Sequence, residues 1–152
     1  MRQQYLPLVV LAILAVFGAG GCGVLNPPQP TAVPFVQHNV EDVFNAFARA
    51  GLQVQNPEQS MTVTGRGAPT GFSNRYLFEV PRIAPAGGQI IVFSTPDQLA
   101  AWQHYIDTLR SSADTRRDVV FTYFKENLML QLSANLTNDE AKGYADAFNG
   151  LS

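Results

Sequence analysis

Three helix-start signatures divide this chain, and they constrain its fold more than any other feature. Asn39 stands before Val40, with Glu41 and Asp42 in the first turn. A short polar cap and early acidic residues answer the unpaired N–H groups of a helix start. Thr95-Pro96-Asp97-Gln98 joins a capping box to a proline at the first helical position. Thr137-Asn138-Asp139-Glu140 is another capping box. Behind each start apolar residues recur at helical spacing. They are Val40, Val43, Phe44, Phe47 and Ala48; then Leu99, Trp102, Tyr105, Ile106 and Leu109; then Ala141, Tyr144, Ala145 and Phe148. The first helix is expected over Val40–Ala50, stopped by a left-handed Gly51 with Leu52 as its apolar partner. Gly150 ends the third.

The segments between the helices read as strands. Tyr76–Val80 is closed by Pro81, and Gln89–Phe93 carries the continuous run Ile90-Ile91-Val92 of a central strand. Val119–Phe124 and Leu128–Leu132 flank Lys125-Glu126-Asn127 as a hairpin. Short strands are expected at Leu52–Gln55 and Met61–Thr64, the latter inside an otherwise irregular stretch. The fold class is α+β, in the order α-β-β-β-α-β-β-α. It comprises a small antiparallel sheet of about four or five strands, with three helices on one face. Residues 38–152 form a single domain without repeats.

The first residues are not part of that domain. After Arg2 the chain is almost wholly apolar from Tyr5 to Phe17, then reads Gly18-Ala19-Gly20-Gly21-Cys22. A charged start, a short apolar middle and a small-residue exit make a secretory signal. Leu6–Ala19 is shorter than the roughly 18 residues a membrane-spanning helix needs. Ala19-Gly20-Gly21-Cys22 resembles the lipobox of bacterial lipoproteins, with Ala19 where that family favours leucine. The resemblance implies that residues 1–21 are a signal peptide, cut between Gly21 and Cys22. It further implies that Cys22 carries lipid and partners a bacterial membrane from the extracytoplasmic side. Residues 22–37 then form a tether, extended by Pro27, Pro28, Pro30 and Pro34.

Charge and cysteine count exclude several classes. Without Arg2 the ten basic residues become nine, against twelve acidic ones. This mild balance offers nothing to nucleic acid, and no local cluster of Lys and Arg suits anionic lipid. Arg116-Arg117, the only basic pair, is flanked by Asp114 and Asp118. Cys22 is the sole cysteine, so the domain must rely on its core rather than on a disulfide.

No local signature of chemistry appears. The two histidines, His38 and His104, lack the neighbours of a metal site or a triad. No nucleophile elbow, zinc motif or phosphate loop is present, and no cofactor is implied. The carboxylates cluster in helix first turns rather than as a glycosidase pair. The glycine-rich stretch around Arg66 reads as a flexible loop. Binding residues gather on loops set by a rigid scaffold, so the long loop Asn56–Asn74 is the place to look. Arg66, Phe72 and Arg75 are the candidate contacts. The strand and helix aromatics read first as core, and as a binding surface if one sheet face is bare.

A second likeness runs from about Asp42 to Leu151. It rests on Phe47-Ala48-Arg49-Ala50-Gly51-Leu52, Ala68-Pro69, Phe78-Glu79-Val80-Pro81, Gly87-Gly88-Gln89-Ile90, Tyr105 and Asn127-Leu128. These are similar to short bacterial extracytoplasmic proteins to which no activity is assigned, and imply a self-standing domain. The resulting expectation is a membrane-anchored lipoprotein that binds an envelope protein or a small ligand and is not an enzyme. Two other classes stay open: a hydrolase-like envelope enzyme without a local motif, and a passive structural lipoprotein.

Overall fold

The computed structural model describes residues 35–63 and 65–152. The signal segment, the Gly21–Cys22 cleavage point, the lipid site, most of the tether and Thr64 lie outside the described residues. The elements are α1 (Val40–Arg49), β1 (Gln55–Gln59), β2 (Asn74–Glu79), β3 (Gly87–Val92), α2 (Pro96–Ser111), β4 (Thr122–Lys125), β5 (Leu128–Leu132) and α3 (Asn138–Asn149). Single 3-10 turns occur at Pro81–Ile83 and Arg116–Val119. All five strands pair antiparallel in the order β1-β2-β3-β5-β4. This is the α+β class and the element order that the sequence implies.

The helix caps form largely as read. The Asn39 side chain accepts from Asp42 N at 2.9 Å, and the Asp42 carboxylate accepts from Asn39 N at 2.9 Å. Thr137 and Glu140 make the same reciprocal pair. At α2 the box does not close. Thr95 accepts from Gln98 N at 3.3 Å, but the longer Gln98 amide reaches back to Ser94 N instead. Gly51 takes a left-handed φ of 72°, and Leu52 N bonds to Phe47 O at 2.9 Å to close α1. The buried stripe of α1 is Val40, Val43, Ala46 and Phe47; Ala48 is exposed. Phe44 also packs edge-on against Tyr76 and Phe78 of β2 but stays partly exposed.

The helices do not share one face. Helices α1 and α3 cover one side, packing Phe47, Tyr144 and Phe148 on Phe78, Ile90, Leu128 and Leu130. Helix α2 covers the other, packing Trp102 and Ile106 on Ile91, Phe93 and Met129. Successive side chains of a strand point to opposite faces, so an unbroken apolar run needs cover on both. Ile90 and Ile91 meet that need on opposite sides of β3. For the same reason the aromatics form no bare surface. Phe121 and Tyr123 pack on the α1/α3 side and Phe124 on the α2 side.

Two strands lie elsewhere than the sequence suggests. β1 is the wholly exposed Gln55–Gln59, not Leu52–Gln55, and residues 61–63 form no strand. It is an edge strand with a bulge between Gln55 and Glu58 and with Asn56 at φ 48°. Proline and glutamate are tolerated there because one side of an edge has no ladder to fill. The first hairpin strand starts at Thr122 rather than Val119, because Arg116–Val119 closes as a 3-10 turn. That turn buries Val119 against the α2 core.

Candidate functional site

The face of the sheet under α2 is only partly apolar. Along β2, β3 and β5, alternation places Arg75, Gln89 and Gln131 on that face, and register sets Gln89 opposite Gln131. These side chains form a directed chain of hydrogen bonds. Arg75 Nε donates to Gln89 Oε1 at 2.6 Å, and Gln89 Nε2 donates to Gln131 Oε1. Gln131 Nε2 donates to the Asp118 carbonyl at 3.0 Å. Arg75 Nη1 also donates to the Thr62 carbonyl, and reaches Ser60 Oγ at 3.5 Å.

Above this row the helix does not close down on the sheet. A cavity of about 490 Å³ remains between them. Trp102, Tyr105, Ile106 and Leu109 of α2 form its apolar wall, and Arg75, Gln89 and Gln131 its polar one. Exposed Arg66 and Asp118 stand on its rim. The aromatic wall is fixed by edge-to-face contacts. The Trp102 ring lies 5.8 Å from Tyr105 and 6.3 Å from Phe72. Trp102 is 2 % exposed, and its indole N–H has no hydrogen-bond partner among the described residues.

The electrostatics centre on Arg75. It is 7 % exposed, and burial pushes its pKa below the ordinary arginine value. Among the described residues no carboxylate lies within 4.0 Å of its guanidinium, whereas Arg82 pairs with Glu140 and Arg110 with Asp107. Its acceptors are a side-chain amide, a carbonyl and a hydroxyl.

The structure therefore brings two of the three candidate contacts to one site. Arg66 and Arg75 both line the cavity, while Phe72 buttresses its wall through Trp102. Arg75 belongs to β2 rather than to the loop. Gln89, Gln131 and Tyr105 are the residues that sequence reading missed. Gln89 and Gln131 interrupt apolar strands on one face only, and that interruption was the available signal.

Other places carry less. His104 is exposed on α2. His38 Nε2 faces the Glu126 carboxylate at the β4–β5 turn. Among the described residues no group of three or more His, Cys, Asp or Glu fits a metal ion. None of the described helices is long and apolar enough to cross a membrane. Arg110, Arg116 and Arg117 line a second, open cleft with Phe121 and Leu136. The end of α2 thereby sets Arg110 beside the pair that follows it closely in sequence, and Arg110 is itself paired with Asp107. No protein family, curated protein or solved structure matches this chain.

Proposed function

We propose that this chain is an extracytoplasmic bacterial lipoprotein, held to a membrane through lipid on Cys22. Its folded domain binds a small ligand in the cavity under α2 and does no chemistry on it. One observation carries the binding role: a cavity of about 490 Å³ in which an apolar wall from α2 faces converging polar groups on the sheet. Small-molecule sites have this size and make-up. The anchoring role rests on the apolar run and Ala19-Gly20-Gly21-Cys22.

Two experiments test the halves separately. Palmitate labelling is expected in the full-length protein and absent in Cys22→Ser; label in neither overturns the anchor. For the cavity, the only tryptophan of the chain is a built-in reporter, because Trp102 lines it. Phenylacetate, 2-phenylethanol and 2-phenylethylamine have similar shapes and differ in charge. Saturable change of Trp102 emission with at least one of them supports the cavity as a site. No response to any of the three rejects it.

A further inference from the structure

We infer that the cavity selects an organic monocarboxylate with an apolar body, whose carboxylate pairs with Arg75. The inference rests on the cavity being a binding site and goes on to name the class of ligand.

The argument begins with burial. A charge taken out of water is costly unless it is paired, and buried arginines normally meet a carboxylate or phosphate. Arg75 has only neutral acceptors among the described residues. Its Nε and Nη1 are committed to the protein, and its Nη2 makes none of these bonds. The side chain nevertheless lines the cavity. The amide chain fixes its aim: Gln89 presents its carbonyl to Arg75 because its own NH₂ is engaged by Gln131, which is held in turn by the Asp118 carbonyl. A pre-aimed guanidinium beside a cavity is the arrangement that recognises a carboxylate.

The rest of the lining sets the body of the ligand. Trp102, Tyr105, Ile106 and Leu109 offer apolar surface opposite the cation. One buried cation balances one negative charge. The rim charges, Arg66 and Asp118, offset each other, which leaves the single charge of Arg75 for the ligand to balance.

The test compares affinities read from Trp102 emission. Phenylacetate should bind at least tenfold more tightly than 2-phenylethanol, with 2-phenylethylamine weakest. Arg75→Met should abolish that preference, so that phenylacetate and 2-phenylethanol bind within about threefold of each other, about 0.7 kcal/mol. Arg75→Lys should retain only part of the preference, because it keeps the charge and loses the fork. If either variant fails to fold, the wild-type comparison of acid with alcohol decides alone. Equal affinity for the two overturns the carboxylate assignment and leaves the cavity as a neutral site. Tighter binding of inorganic phosphate than of phenylacetate also overturns it. Silence toward all probes removes the site itself.

Discussion

Single residues hold this fold at points where no substitute fits. Gly87 and Gly88 open β3 across from Glu79 and Phe78. A Cβ on Gly87 would collide with the Phe78 carbonyl and stand 2.6 Å from Glu79 Cα. Backbone on one side and sheet pairing on the other leave no way to yield. Gly87→Ala should therefore lower stability by about 3 kcal/mol, the upper end of overpacking costs, read as a drop in urea midpoint. Glu140 shows a different residue-scale effect. The Thr137 backbone N–H and hydroxyl, and then Arg82, hold its carboxyl below the ordinary glutamate value. A carboxyl depressed in the folded state adds stability that is complete above its unfolded-state pKa. That stability is lost as pH falls through the depressed folded-state value. The stability gap between wild type and Glu140→Gln should thus be present at neutral pH and close on the acid side. A gap of constant size across that range would contradict the linkage.

At the scale of elements the sheet separates two cores. Phe47 lies with α1 and α3, and Ile106 lies with α2. Phe47→Ala should cost about 3–5 kcal/mol and leave native-state Trp102 emission unchanged. Ile106→Ala should cost about 2–5 kcal/mol and also shift that emission, since Ile106 shares the cavity wall with Trp102. Urea titrations followed by fluorescence and by circular dichroism measure both. This division also explains what was legible in the sequence. The helices were, because caps and 3.6-residue spacing are local signals, as at Asn39 and Thr137. The central strand was, because Ile90-Ile91-Val92 is apolar on both faces. β1 was not, because an exposed edge such as Gln55–Gln59 carries no apolar alternation. The placement of α2 was not, because a helix stripe states that it is buried and not against which face. The site was half legible. Arg66 and Arg75 stood out as cations near a loop, but Gln89, Tyr105 and Gln131 join them only through strand register and helix packing.

At the scale of the whole domain, the first described residues are tied to the fold. Phe35 packs on the α2-side core, so the folded part begins before His38. Asn127, fully buried at the β4–β5 turn, accepts from His38 N at 2.7 Å and donates to the His38 carbonyl at 2.9 Å. A buried amide that satisfies two backbone groups cannot be removed without orphaning them. Asn127→Ala should cost about 2–3 kcal/mol and expose the segment before Val40 to early proteolytic cutting. Unchanged cutting there would mean that the segment is held by Phe35 alone. The same clamp has a mechanical meaning. Tension drawn through the N-terminal side passes the Phe35 contact and then meets Gln37 and His38, which are hydrogen-bonded to the turn that leads into β5. β5 is an inner strand of the sheet, flanked by β3 and β4. Force is thereby handed to a strand braced on both sides before it can peel α1 from its core.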